Sequence, residues 1–227
     1  MTDAGAAQPA PDGRLILLLI GAVGAGKGTQ AELLAARLGI PHLASGDLFR
    51  AALRAGTPIG ERARTYMDRG DLVPDEITIE MFMDRLSDAD AARGAILDGF
   101  PRTVGQAAAL DATLASRGER IARAIYIAVP TEELVQRVAG RSVCPTCGTP
   151  YHDVSDPPRQ PGICDKDGTP LVRRDDDRPD VVRARLQKQV PPMLEVVEHY
   201  RSAGVLAEVD GRRAIDDVLA DILAAVT

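Results

Sequence analysis

Short, almost continuous apolar runs alternate along this chain with longer stretches of helical spacing. The runs at 15–20, 40–44, 95–97, 124–129 and 205–209 have the length and composition of strands buried on both faces. Helical patterns fill the intervals at 27–38, 47–55, 58–69, 74–86, 103–117, 131–139, 180–203 and 214–226, and most of them stop at a glycine. Pro74 suits the first turn of its helix. Pro191 and Pro192 predict a kink inside theirs. Five strands joined by helical crossovers predict an α/β fold, a doubly wound five-stranded parallel sheet with helices on both faces.

Two segments break the rhythm. Residues 44–73 hold two helical patterns and no strand, so they are expected to project from the core as a small helical insert. Residues 140–177 hold all three cysteines, six prolines and four glycines, which excludes a helix and marks a second small inserted domain. The core is then 15–43, 74–139 and 178–227. Residues 1–14, rich in Ala, Pro and Gly, read as a flexible tail. No internal repeat is evident.

Composition narrows the classes. At 45% hydrophobic and 26% charged, the 227-residue chain is globular and has room for a core. A net charge of −6 with 3% aromatics disfavours a general nucleic-acid surface. The apolar run from Leu15 is too short to span a bilayer, and the residues before it carry the wrong charge for an export signal. A cytoplasmic, monomeric protein without membrane or nucleic-acid partners is expected. Only three of the basic residues are lysine (Lys27, Lys166 and Lys188), so most basic positions are arginine and placement must carry any argument.

One lysine stands in a telling place. Gly21-Ala22-Val23-Gly24-Ala25-Gly26-Lys27-Gly28-Thr29-Gln30 follows the first strand and opens a helix, the context of a phosphate-binding P-loop. Its glycines let backbone N–H groups turn around an anion, and the helix N-terminus adds its dipole. Lys27 would reach the β- and γ-phosphates. The alternative is a strand–helix turn that binds nothing. Arginine binds phosphate bidentately, and Arg102 follows a strand end. Arg137 and Arg141, four apart, share a helix face, while Arg174 and Arg185 flank the far side of the second insert. Asp98, at another strand end, can hold Mg²⁺ through water or cap a turn. His42, His152 and His199 are scattered and read as structural.

With the segments LASGDLFR (43–50), LDGFPRTVGQ (97–106) and RRDDDRPDVVRAR (173–185) following in order, the chain resembles the adenylate kinases over about residues 15–213. Val23 and Ser45 depart from that pattern, which usually has Pro and Thr there, and Asp71 replaces a commonly basic residue. The resemblance implies ATP contacts from Gly24, Ala25, Gly26, Lys27, Gly28 and Thr29, and from Arg137, Arg141, Pro150, Tyr151 and Arg213. It implies AMP contacts from Ser45, Arg50, Asp71, Leu72 and Val73, from Gly99, Phe100, Pro101 and Arg102, and from Gln106, Arg174 and Arg185, with Gln106 reading the adenine edge. Lys27, Arg102, Arg137, Arg141, Arg174 and Arg185 would be catalytic, and Asp98 would hold Mg²⁺ through water.

The cysteines add a second site. Cys144, Cys147, Cys164 and Asp167 are spaced C-x₂-C-x₁₆-C-x₂-D, which fits a tetrahedral structural Zn²⁺ site, with His152 as rival fourth ligand and a metal-free loop as the alternative. It resembles the zinc-bearing lid of some adenylate kinases. The expected reaction is MgATP + AMP ⇌ 2 ADP by direct in-line transfer, with ATP, AMP and ADP as partners. The rivals are a kinase with GTP donor or another acceptor, a noncatalytic nucleotide sensor, and a zinc-ribbon nucleic-acid binder. The last is disfavoured because 140–177 carries seven Asp against five Lys and Arg.

Overall fold

The computed structural model describes residues 13–67, 73–154, 156–173 and 177–226. Five parallel strands form one sheet in the order β2-β3-β1-β4-β7. They are β1 (Leu15–Ile20), β2 (His42–Ala44), β3 (Gly94–Asp98), β4 (Arg123–Ala128) and β7 (Leu206–Asp210). Helices cover both faces, as the alternation predicts: α1 (Lys27–Leu38), α2 (Ser45–Arg54), α3 (Pro58–Met67), α4 (Asp75–Leu86), α5 (Val104–Ser116), α6 (Thr131–Ala139), α7 (Pro179–Ser202) and α8 (Ile215–Val226). The pleat sorts β1 between two apolar cores. Ile16, Leu18 and Ile20 face one with Phe82, Leu110 and Tyr200, while Leu17 and Leu19 face the other with Leu34, Val138 and Ile222. Each core is a near-continuous set of fully buried side chains, and this burial is the main stabilising force of the sheet.

Some boundaries move for identifiable reasons. The second strand begins at His42, not at residue 40. Pro41 has no N–H to give the ladder, although its carbonyl accepts from Ile96 N at 2.9 Å. α2 starts at Ser45, two residues before the expected position, because Ala44 already serves as its N-cap. α7 runs unbroken through Pro191 and Pro192. It packs Val182 and Leu186 into one core and Val196, Val197 and Tyr200 into the other, so burial on both sides outweighs the lost hydrogen bonds. Residues 1–12 lie outside the described residues. Arg14, assigned to the tail, is instead fixed: it pairs with Glu119 and donates to the carbonyls of Leu86 (2.5 Å) and Ala91 (2.9 Å).

The second insert has a fold of its own. β5 (Arg141–Val143) and β6 (Pro150–His152) form an antiparallel hairpin that the sequence pattern does not predict. Around it stand two turns built alike. In Cys144-Pro-Thr-Cys-Gly-Thr, Gly148 N donates to Cys144 O (3.0 Å) and Cys144 N to Thr149 O (3.0 Å). In Cys164-Asp-Lys-Asp-Gly-Thr, Gly168 N donates to Cys164 O (2.9 Å) and Cys164 N to Thr169 O (2.9 Å). This internal repeat is too short to register as a periodicity; the matching hydrogen bonds make it plain.

Candidate active site

Ligands of open parallel sheets bind beyond the carboxyl ends of the strands. Apart from Arg185, which lies on α7, the expected nucleotide-binding elements that follow a strand of the described sheet leave from that edge. The glycine-rich loop follows β1, Ser45 follows β2, Gly99 to Gln106 follow β3, Arg137 lies on the helix after β4, and Arg213 follows β7.

The loop after β1 is shaped by contacts that only glycine allows. Gly24 has φ +85°, and a Cβ there would lie 2.7 Å from Val138 Cγ2 and 3.0 Å from Leu134 O. Gly26, also left-handed, caps α1. Lys27 folds back over the loop and donates to Gly21 O (2.8 Å) and Ala22 O (3.1 Å). Burial lowers its pKa. Asp98 opposes the shift, and Arg102, Arg141 and Arg185 add to it. These five side chains therefore share one electrostatic neighbourhood although they span residues 27 to 185.

Asp98 is 9% exposed at the end of β3. Burial works to raise its pKa, but the hydrogen bond with His42 (Nε2 to Oδ2, 3.2 Å) and the charges of Lys27 and Arg102 outweigh it, and the carboxyl titrates below its ordinary value. It stays an anion between cations, as a site for a hydrated divalent cation requires. His42 was read as structural; it is two residues before Ala44, the residue that pairs with Asp98 across the strands, so it reaches the carboxylate diagonally.

Ser45 Oγ donates to Gly99 O at 3.2 Å and joins the ends of β2 and β3. Arg102 Nε donates to the same carbonyl at 2.8 Å. The Arg102 guanidinium remains open to solvent, yet the surrounding protein desolvates it enough to lower its pKa, with Asp98 opposing and Arg185 adding. Gln106 is 4% exposed and engaged at both ends of its amide: Oε1 accepts from Arg102 N (2.6 Å) and Nε2 donates to Asp75 Oδ1 (2.7 Å). Phe100 and Pro101 are buried.

Four more arginines rest on carboxylates. Arg50 pairs with Asp47, Arg137 with Glu133 (2.6 Å), and Arg213 with Asp221. Arg141 grips the buried Asp177 bidentately, at 3.0 and 2.5 Å. A carboxylate presents two oxygens to the guanidinium fork much as a phosphate does. Asp71, Leu72 and Arg174 lie outside the described residues; Val73 leads into α4.

In the insert, ligand atoms of Cys144, Cys147, Cys164 and Asp167 all lie within 4.8 Å of one another. Cys147 Sγ is 3.6 Å from Cys164 Sγ, and Cys144 Sγ is 3.3 Å from Asp167 Oδ2. With metal–sulfur bonds of about 2.3 Å, a tetrahedron has edges of about 3.8 Å, so the donor set fits such an ion. Thr169 N, at 3.0 Å, holds the Asp167 carboxyl well below its usual range and keeps it an anion. His152 does not join the set. Its ring lies against Gly140, and Nδ1 accepts from Val154 N at 3.1 Å. The Tyr151 ring is inside the insert, where its hydroxyl accepts from Asp165 N at 2.7 Å; the contact with Cys164 Sγ, then burial, push its pKa up to about 12.

Among the described residues no helix is long and apolar enough to cross a membrane. The family model described as adenylate kinase matches residues 19–205. A protein of Lachnospira eligens named adenylate kinase is 47% identical over 207 residues, covering 91% of this chain and 97% of the relative. Those of Oceanobacillus iheyensis and Exiguobacterium sibiricum, with the same name, are also 47% identical, covering 91% and 92% of this chain and 96% and 97% of themselves.

Proposed function

The chain belongs to the adenylate kinase family, and from that premise we propose how its residues divide the work. The enzyme is an ATP:AMP phosphotransferase that moves a phosphoryl group directly from MgATP to AMP and back. The acceptor phosphate is already an anion, so the protein supplies no general base. Its task is to align two anions and neutralise spreading charge.

Gly24 to Thr29 cradle the donor phosphates with backbone N–H groups. Lys27 leaves the carbonyls of Gly21 and Ala22 for the β- and γ-oxygens. Arg102, Arg141 and Arg185, already close enough to shift the Lys27 pKa, surround the transferring group, joined by Arg137 and Arg174. The convergence of Lys27, Asp98, Arg102, Arg141 and Arg185 at one sheet edge is the observation that carries this reading. Mg²⁺ accompanies ATP and supplies further neutralisation of the phosphate oxygens; Asp98 would hold it through water. Residues 44–73 clamp AMP, with Arg50 on its phosphate and Ser45, Gly99, Val73 and Gln106 around it. Residues 140–177 close over ATP and exclude water. Pro150 and Tyr151 would touch the nucleotide through their backbone, since the tyrosine ring is internal. Arg213 lies beside the donor base. Cys144, Cys147, Cys164 and Asp167 would hold a structural Zn²⁺, all four positions being filled by protein. The active unit is a monomer.

A coupled ADP-formation assay across nucleotide pairs tests the reading. AMP should be preferred over UMP and CMP, and Gln106→Leu should weaken AMP selectively. Comparable kcat/KM for all three acceptors would overturn the AMP assignment.

A further inference from the structure

A primary amide can read two opposite patterns. With its oxygen and nitrogen one way round it matches adenine, which offers a donor at the 6-amino group and an acceptor at N1. Turned by 180° it matches a 6-oxopurine, which offers an acceptor at O6 and a donor at N1. A glutamine free to turn would discriminate poorly between AMP and IMP. Gln106 is not free to turn.

Its two ends meet groups of opposite and fixed character. Asp75 Oδ1, an acceptor when ionised, lies 2.7 Å from Nε2. The backbone N–H of Arg102, which can only donate, lies 2.6 Å from Oε1. A turn of the amide would set oxygen against carboxylate and N–H against N–H. At a site only 4% exposed, each broken bond leaves a buried polar atom of Gln106 unsatisfied. The backbone of Gln106 is also anchored, since its N–H donates to Thr103 Oγ1 at 3.2 Å as the cap of α5. One N–H and one oxygen lone pair remain on the amide, in a fixed order.

We propose that Asp75, at the first position of α4 where the acceptor-binding insert rejoins the core, is a specificity-determining positioning residue: it locks the Gln106 amide in the orientation that accepts adenine and rejects 6-oxopurines. This rests on Gln106 reading the acceptor base. Arg102 N is present in every variant, so Asp75 is the replaceable half of the lock. Asparagine at 75 can turn its own amide to donate to the Gln106 oxygen, so only the Arg102 N–H would still oppose the turned orientation.

The experiment compares kcat/KM for AMP and IMP, each with MgATP, on single preparations of wild type, Asp75→Asn and Gln106→Leu, with diphosphate products separated by chromatography. The AMP-to-IMP ratio is independent of the folded fraction, so loss of stability does not mask it. Asp75→Asn should lower the ratio by about tenfold, the scale of a good paired base contact, with the change in KM of both acceptors more than in kcat. Asp75→Ser, whose hydroxyl donates as well as accepts, carries the same expectation should Asp75→Asn fail to fold. Raised KM for AMP in Gln106→Leu with an unchanged ratio in the Asp75 variants would overturn the lock and leave the base contact standing. An unchanged KM for AMP in Gln106→Leu would overturn the base contact and the lock with it.

Discussion

The P-loop and the zinc-type insert both face the donor phosphates in the proposed mechanism, but they are held in place by different physics. The loop between β1 and α1 sits on an apolar core, with Leu34, Val138 and Ile222 fully buried beneath it. Among the described residues the insert buries one small cluster, Cys144, Tyr151 and Cys164, with Leu171 beside them, and Val143 nearby in sequence. The first region is fixed by the hydrophobic effect and by glycines shaped to the core. The second has little apolar surface of its own and, in the proposed reading, relies on a metal held by four ligand atoms. A rigid cradle and a separately stapled cover can therefore lose order independently.

The strongest test of that difference is removal of the staple. Structural zinc sites contribute on the order of 10 kcal/mol to ordering their domains, so chelation or Cys164→Ser should weaken amide protection across 140–173 and lower the first thermal transition. The sheet strands should stay protected. Transfer should persist at temperatures where the insert still closes, with Mg²⁺ supplied. Stoichiometric zinc measured in the purified protein, lost together with that protection, is the expected pairing; abolished transfer with an unchanged melting profile would instead make the metal catalytic.

Lys27→Met probes the cradle. We expect kcat to fall by about a thousandfold, which corresponds to ~4 kcal/mol, without loss of stability. The sign follows from its lowered pKa. The folded protein binds this proton less tightly than the unfolded chain, so the buried charge opposes folding below the folded-state pKa. That penalty fades as pH rises from the folded towards the unfolded value. Wild type should therefore gain on Lys27→Met in melting temperature as pH increases through that window; a variant that melts lower at neutral pH would show Lys27 to be structural.

In the core, Leu110→Ala removes a fully buried side chain and should cost ~2–5 kcal/mol in chemical denaturation while leaving the zinc-to-protein ratio intact. The smallest effect concerns the one ion pair recorded between the insert and the core helix α1, Lys166 Nζ to Glu32 Oε2 at 3.7 Å, with both partners half exposed. Lys166→Ala should change stability by less than about 1 kcal/mol. A larger loss would mean that the two regions are coupled more tightly than their separate cores suggest.

The two regions also differed in what the sequence made legible. β1 and α1 lie where the pattern placed them, because a doubly buried run and a glycine-bounded amphipathic stretch each have one low-energy reading. The hairpin of the insert did not, since three-residue strands carry no usable period and are held by turns around the cysteines. The grouping of Cys144, Cys147, Cys164 and Asp167 was legible from spacing, and His152 fell outside it only once its ring was seen against Gly140. At the carboxyl edge of the sheet the motif residues were readable one by one. Their partners were not: His42 meets Asp98 across 56 residues and Asp75 meets Gln106 across 31, and no local pattern encodes such pairs.

Arg14 has a practical consequence. It clamps the beginning of β1 to Glu119 and to the carbonyls of Leu86 and Ala91. At the same edge Arg123, on the first residue of β4, donates to Ala225 O near the end of α8 at 2.9 Å. Both chain ends of the described fold are thus moored at the pole of the sheet away from the nucleotides, about 20 Å from the P-loop along the six residues of β1. A fluorescent reporter attached at Gly13 or Val226 would stand at that pole, away from the carboxyl edge of the sheet where we propose the nucleotides bind.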